Sequence, residues 1–489
     1  MIQTYYDEFF SEIIRSLSAY KGFYMAAAAL VLYFTSHFFS PVPKDSAGPD
    51  RSPPRAPVGK LEILDNFARG RTPWFLEEVA EMTESDIYQL TSKLFIVGDT
   101  DAAREILLDK LSLKPKSYSV FVQLFGTQTM FSRTTNGELW HNTRKAISRA
   151  FSSGEVNRMN QICLKHVENW IHNVLEPSLA SGDLIDPSHE MSRITFKIIL
   201  EATMEYTATD EDYEGFVYHL DIGMKEVMNK NVRNPLRAYY APFISSKYRT
   251  ALKSCEEIQA FGRKVLDSYR KNKNKSHDNT AIKLLEFPGA CVDDKHRVAE
   301  IVSLIFAGHD TSGFTLGNTL VLLAKHPEIQ AKLRSELCGM DAEQRPKSEY
   351  MKHVIAESNR LLPVVPLGSV RQVGRDISCK NGTMIIPKGS VMYIPQMLLH
   401  RNPAVFKDPK NFHPDRWEKP SKAMKDSLTM FSLGMRNCPG QSLGMAELHS
   451  MIPRLLVPYT FELEAEGELE FATTMRYASS RLKVRKVEN

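Results

Sequence analysis

The sequence predicts a mainly α-helical unit with small β-sheets, an α+β class, on three observations. Amphipathic helical patterns with polar connections fill residues 155 to 285. A helical run, largely apolar in its middle, extends from Val298 to Leu323. Strand-type patterning shows in short stretches, Asp86 to Val97 and Tyr459 to Val484. The 489 residues are 43% apolar and 25% charged, the composition of an ordinary globular protein. A net charge of +4 is too small and too spread out to argue for nucleic acid. The six cysteines are widely separated, with no CxxC pair or His/Cys cluster to suggest zinc. Scattered free thiols fit a reducing compartment.

Residues 1–21 read as an amphipathic segment. Tyr5, Tyr6, Phe9, Phe10, Ile13, Ile14 and Leu17 fall at helical spacing, and Asp7, Glu8, Glu12 and Arg15 take the remaining positions. Such a helix suits a membrane surface, or plain packing against a neighbour. Residues 22–39, GFYMAAAALVLYFTSHFF, contain no Asp, Glu, Lys or Arg and reach the minimum length of one transmembrane anchor. Tyr24, Tyr33 and the closing Phe pair would be its interfacial aromatics. A cleaved signal peptide fits less well because the preceding segment is long and acidic. A helix buried in the globular unit is the alternative. Residues 40–60 form a proline-rich hinge with basic residues. Lys44, Arg51 and Arg55 after the span outnumber Arg15 and Lys21 before it, which leans towards a cytoplasmic globular unit.

From residue 61 the globular unit runs to residue 489. Asp101 to Asp109 reads as a short helix, and Ser117 to Ser132 as an aromatic-rich loop. Trp140 and Arg144, four apart, share one helix face. Lys271 to Asn279, KNKNKSHDN, reads as a solvated loop. The run Ala307-Gly308-His309-Asp310-Thr311 places a charge and a hydroxyl inside an apolar helix, which is costly unless used. Gly308 adds about 1 kcal/mol against alanine, and the two local violations point to function. Glu357 and Arg360 meet at i,i+3 spacing on a helix. Phe431-Ser-Leu-Gly434-Met-Arg436-Asn-Cys438-Pro-Gly440 fits four residue types around one cysteine, just before a helical pattern from Gln441 to Leu456. Gly434 permits a tight turn, and the helix N-terminus would stabilise a Cys438 thiolate. A lone cysteine is ordinarily a small buried hydrophobe, so the weight rests on the whole pattern.

Trp140-x-x-x-Arg144, Ala307-Gly-x-Asp310-Thr311, Glu357-x-x-Arg360, Pro414-x-Arg416 and the Cys438 loop, in that order, resemble the motifs of the cytochrome P450 family. The resemblance covers about Leu61 to the C-terminus and implies the P450 fold, preceded by an N-terminal transmembrane helix. It also implies haem b as cofactor, with Cys438 as metal ligand through an axial thiolate that pushes electron density onto iron. Arg436, Arg371, Trp140 and Arg144 would reach the haem propionates, and Phe431 would keep water from the sulfur. Gly440 would allow close approach of the macrocycle. Ala307, with Gly308, would leave room for O2. Thr311 and Asp310 would be the catalytic pair, a hydroxyl at the oxygen chemistry and a proton relay from solvent. His309 follows the variable position of the motif and reads as structural. Glu357, Arg360 and Arg416 would form a structural triad, although Asp415 stands where the family more usually has Glu. Ser117 to Ser132, Pro363 to Ser369 and Ala472 to Ser480 would line the substrate pocket.

The implied activity is that of a haem-thiolate monooxygenase, inserting one atom of O2 into a hydrophobic substrate such as a sterol, fatty acid or terpenoid. Electrons would come from NADPH through a separate NADPH–cytochrome P450 reductase, with cytochrome b5 as a further candidate donor. No dinucleotide-binding fingerprint is fused to this chain. The expected location is the endoplasmic reticulum membrane, single-pass, with the catalytic unit cytoplasmic. Two rivals stand beside this reading: a P450-fold isomerase or dehydratase acting on peroxides without a reductase, and a non-catalytic haem or ligand-binding protein. Retention of Asp310 and Thr311 counts against both.

Overall fold

The computed structural model describes residues 51–230, 237–272 and 277–487. The expected amphipathic segment, the anchor over 22–39 and the hinge up to residue 50 lie outside the described residues, as do positions 273–276 of the lysine-rich run. Among the described residues, no helix is long and apolar enough to cross a membrane. The described end of the expected hinge already pairs with the unit. Gln89 N donates to Pro54 O at 2.8 Å, Ala56 N donates to Gln89 O at 2.9 Å, and Ile385 N donates to Arg51 O at 2.7 Å. Prolines suit this edge position because they need no partner for a missing N–H.

Eight helices position the site: α1 (Glu138–Ala150), α2 (Val156–Trp170), α3 (Pro187–Met204), α4 (Asp210–Ile222), α5 (Ser246–Lys271), α6 (Asp294–Lys325), α7 (Glu349–Leu361) and α8 (Gln441–Leu456). The central one is α6, whose 32 residues span about 48 Å. It starts where the Asp293 side chain accepts from His296 N at 2.7 Å, an N-cap, and it stops just before Pro327. Residues 298–305 and 313–323 are buried on either side of its midpoint, which explains why those stretches are apolar nearly all round.

Helix α3 packs directly along α6. The reason lies in glycines: a Cβ at Gly313 would stand 2.5 Å from Ser192 Cα, and one at Gly308 would stand 2.7 Å from Ile199 Cγ1. Gly308 therefore serves the crossing with α3 and faces away from the space expected for O2, a correction to its sequence reading. Its cost as a helix residue is offset by close packing of its backbone against the Ile199 side chain.

The strands are β1 (Ile87–Thr91), β2 (Leu94–Val97), β3 (Ser369–Gln372), β4 (Ile377–Cys379), β5 (Met384–Ile386), β6 (Val391–Ile394), β7 (Tyr459–Ala465), β8 (Glu468–Phe471), β9 (Met475–Ala478) and β10 (Arg481–Lys486). The largest sheet has the order β1-β2-β6-β3, with β2 parallel to β6 and the other pairs antiparallel. In its register Arg371 pairs with Met392, and the Arg371 side chain is buried. The mainly helical class with small sheets is thus what the sequence leads one to expect.

One local reading differs. The stretch from Ser117 to Ser132 is not all loop: it holds a 3-10 turn at Lys116–Val120 and a short helix at Phe121–Phe125. Tertiary packing supplies that helix, since Phe121 and Phe125 stack at 5.7 Å and both meet Phe306 of α6. Strand β6 ends at Ile394, Pro395 follows, and a short helix takes over at Gln396–His400.

Candidate active site

The loop entering α8 forms one wall of the site. Cys438 N donates to Phe431 O at 2.8 Å and Asn437 N donates to Gly434 O at 3.1 Å, closing the loop. Gly434 sits at φ +72°, and a Cβ there would approach Leu107 O to 2.3 Å, so the turn requires glycine. Cys438 borders a cavity of about 280 Å³. Burial pushes its thiol up, while the Gly440 backbone N–H and Arg144 pull it down. Phe431 also lines the cavity. Beside Gly440, a Cβ would meet nothing closer than Cys438 Sγ at 3.8 Å, so protein does not fill that space.

This loop is held by a buried triad, as expected. Glu357 and Arg360 on α7 are both 0% exposed; Arg360 donates through Nε to Glu357 Oε2 at 2.8 Å and through a terminal nitrogen to Oε1 at 2.9 Å. Arg416 Nε donates to Glu357 Oε1 at 3.0 Å, and Trp417 Nε1 donates to Oε2 at 2.9 Å. From Arg360 the network continues to His400 O at 3.1 Å, and His400 Nε2 accepts from Thr429 N at 3.1 Å, two residues before Phe431. Burial pushes His400 down to about 3, so it is a neutral imidazole suited to accept there.

The second feature of the cavity is its charge. Arg144, Arg371, Arg436 and Lys114 all line it, and among its described lining residues there is no carboxylate. Arg436 stacks over Trp140 at 4.1 Å and donates through Nε to Asn136 Oδ1 at 2.8 Å. Burial, with Arg371 and Arg144 close by, pushes it down to about 9. Trp140 donates through Nε1 to Met130 O at 3.1 Å, whereas Arg144 donates to Asn437 O at 2.8 Å. The two residues of α1 therefore share a cavity but grip different segments. Lys114, which sequence reasoning missed, is only 9% exposed; its ammonium contacts Phe131 O and lies 4.4 and 4.1 Å from the Tyr118 and Phe131 rings. Burial first, then Arg371, Arg436 and Arg144, hold it well below the ordinary lysine value. Such a cation cluster is unfavourable alone and is relieved by an anion bearing more than one carboxylate. Haem fits these residues: a thiolate for iron on one wall and four cations for two propionates.

The third wall comes from α6. Ala307, Thr311, Ser312 and Thr315 line the cavity. Thr311 donates its hydroxyl to Ala307 O at 2.8 Å, and Thr315 repeats the bond to Thr311 O at 2.7 Å. Asp310 is absent from the lining residues. Its carboxylate turns to the α3 side, where Ser192 Oγ lies 3.4 Å from Oδ1 and His309 Nε2 lies 2.9 Å from the same oxygen.

Glu447 on α8 is a second acid that the sequence reading passed over. It is fully buried, its Oε1 has no hydrogen-bond partner, and burial pushes the carboxyl up to about 8 against the pull of the Ser312 hydroxyl. With an ordinary value of 4.5, the folded protein keeps a proton there that the unfolded chain loses between 4.5 and about 8. Stability from this group is therefore lost as pH rises through that window. Glu447→Gln is expected to flatten the difference between thermal midpoints at the acid and alkaline ends of the window. A variant that loses as much stability as the parent would contradict the neutral-acid assignment.

Fold and site together define a haem-thiolate protein with a large helical catalytic unit. The family model for cytochrome P450 matches residues 84–482, and the chain belongs to the cytochrome P450 family. It is 26% identical over 411 residues to cytochrome P450 81Q32 of Catharanthus roseus, covering 78% of this chain and 80% of that protein. It is 25% identical over 418 residues to cytochrome P450 3A6 of Oryctolagus cuniculus, covering 77% and 78%. The cytokinin hydroxylase of Arabidopsis thaliana is 27% identical over 400 residues, 76% of this chain and 74% of that one. The crystal structure of a cytochrome P450 (CYP102L1) superposes with a TM-score of 0.74 at 19% identity, over 89% of this chain and all of that one, and shares the fold. The chain is an enzyme of the P450 monooxygenase class, and its cofactor is haem with a cysteine thiolate on iron.

Proposed function

We propose that this enzyme inserts one oxygen atom of O2 into a hydrophobic organic substrate of the sterol, fatty acid or terpenoid kind. Electrons would come from NADPH through a separate NADPH–cytochrome P450 reductase, with cytochrome b5 as a second candidate donor. The observation that carries the reading is one cavity walled by the Cys438 sulfur, by four cations and by the Ala307–Thr311 face of α6. Haem bound through Cys438 supplies the activation of O2, which thiolate donation favours.

The remaining work falls to the chain's own side chains. Arg371, Arg436, Arg144 and Lys114 bind the propionate carboxylates and fix the cofactor's orientation. Phe431 and Met430 line the cavity close to the sulfur and exclude water. Ala307, small and facing the cavity, leaves space on the substrate side. The Thr311 hydroxyl sits on that face, and Asp310, next along the chain, brings protons towards it from the α3 side. Phe131, Val364 and Val365 make the substrate wall apolar.

A membrane location suits a lipid-soluble substrate and is supported by the uncharged run over 22–39 followed by a proline-rich hinge. On the described surface, Tyr239, Phe243 and Ile244 of the helix Arg237–Ile244 are 69%, 82% and 67% exposed, an apolar patch suited to a lipid surface. These features support our reading of an endoplasmic reticulum membrane enzyme, single-pass, with the catalytic unit cytoplasmic. Retention of Asp310 and Thr311 favours an oxygenase over a peroxide-rearranging isomerase.

The test is turnover under 18O2 with NADPH and purified reductase, over a panel of fatty acids, sterols and terpenoids. Product carrying one 18O atom, dependent on NADPH, is expected. Turnover without NADPH, or with oxygen from water, would overturn the reading. Thr311→Ala is expected to keep the haem and divert several-fold more NADPH into hydrogen peroxide. Unchanged coupling in that variant would remove Thr311 from the mechanism.

A further inference from the structure

We propose that His309 is the positioning residue for Asp310: the two side chains form a buried pair that holds one transferable proton beside Thr311. The inference rests on the relay role proposed above for Asp310 and adds the group that controls it.

His309 is 0% exposed, and its Nδ1 lies 3.0 Å from Ile305 O, one turn earlier on α6. A carbonyl only accepts, so Nδ1 carries a hydrogen and donates it. Nε2 stands 2.9 Å from Asp310 Oδ1. The approach is oblique to the ring, an ion contact rather than an aligned hydrogen bond, and Nε2 has no other partner. A bare nitrogen lone pair that close to a carboxylate oxygen would repel it. With a proton on either atom the contact becomes attractive. The pair is therefore stable only with one proton more than neutral imidazole plus carboxylate.

The surroundings keep that proton private. The rings of Phe196 on α3 and Phe216 on α4 stand nearly perpendicular to the imidazole at centroid distances of 6.0 and 5.6 Å. From α3, Thr195 Oγ1 donates to His309 O at 2.6 Å and Ser192 faces the Asp310 carboxylate. From α4, the Tyr213 phenol lies within electrostatic reach of Asp310, with Glu214 and the Arg476 guanidinium of β9 acting on it. From α5, Phe261 packs behind Phe196. Among the described residues, His309 is the one basic side chain in direct contact with Asp310. Burial alone would push the imidazole down; the Asp310 carboxylate outweighs it and holds the imidazole above its ordinary value. The grip also explains why Asp310 turns away from the cavity: when the Nε2 proton passes to Oδ1, the imidazole is left neutral, the ion contact is lost, and the carboxylic acid is free to turn towards Thr311.

The first test is independent of turnover. In the carbon monoxide-bound ferrous holoenzyme, which is diamagnetic, labelled histidine gives one signal that His309→Phe removes. That signal is expected to report imidazolium above the usual histidine range and to titrate at lower pH in Asp310→Asn. A neutral imidazole throughout, or a titration unmoved by Asp310→Asn, would overturn the pair. The second test reads hydrogen peroxide formed per NADPH with purified reductase, across about pH 6 to 8. His309→Phe is expected to raise the peroxide share several-fold. His309→Gln, whose amide still donates to Asp310, is expected to keep the share near the parent's but lose its pH dependence, and it carries the test should the Phe variant not fold. Parental share and profile in both variants would reduce His309 to a space-filling role. If Asp310→Asn itself leaves coupling unchanged, the relay reading fails while the magnetic resonance result on the pair stands by itself.

Discussion

Replacing Glu357 with alanine is expected to destabilise the protein by about 3–5 kcal/mol and to leave little folded haemoprotein. Five N–H groups converge on this carboxylate: two from Arg360, one each from Arg416 and Trp417, and the backbone N–H of His413. Removing it strands the Arg360 guanidinium, 0% exposed, with backbone carbonyls and the Phe406 ring as its remaining partners and no counter-charge. That loss is a large share of the roughly 5–15 kcal/mol typical of a folded domain. The damage would reach the site, because Arg360 is bonded to His400 and His400 to Thr429 at the head of the Cys438 loop. Urea unfolding of the parent and of Glu357→Ala checks this. A midpoint shift no larger than that of Lys410→Ala, which breaks an exposed pair with Glu81, would contradict it.

Cys438→Ala is expected to abolish NADPH-driven oxygenation. The cavity offers no other thiolate among its described lining residues; its remaining sulfurs, Met130 and Met430, are thioethers. The four cations stay in place, so the variant is expected to keep some affinity for the porphyrin carboxylates while losing the ligand that tunes the iron. Haem content per protein and product per NADPH separate the two effects. Retained oxygenation in this variant would remove Cys438 from the centre of the site.

What could be read from the sequence follows from how local each cause is. The helix from Gln441 to Leu456 was legible to the residue, because its pattern begins directly after Gly440. Gly434 was legible because a tight turn demands glycine at positive φ. The Glu357 and Arg360 pair was legible because i,i+3 spacing places both groups on one helix face. Lys114 was not, since a single lysine in an aromatic-rich stretch has no pattern. It joins the cation cluster only when residues 114–131 fold beneath Arg371 and Arg436. Gly308 was read as room for O2, yet its neighbour is Ile199, 109 positions earlier in the chain. The motif gives Asp310 as a proton relay from solvent, and only the crossing of α3 reveals that its carboxylate turns to Ser192 and His309. His309 was set aside as structural because its own position in the motif varies; a buried base adjacent to an acid was the signal available.

The measurement that tests the central claim most directly is the carbon monoxide difference spectrum of the dithionite-reduced protein. The site described here predicts a Soret band at the thiolate-ligated position, lost in Cys438→Ala. A band at the histidine-ligated position in freshly prepared, undenatured parent protein, unaltered by that substitution, would contradict it.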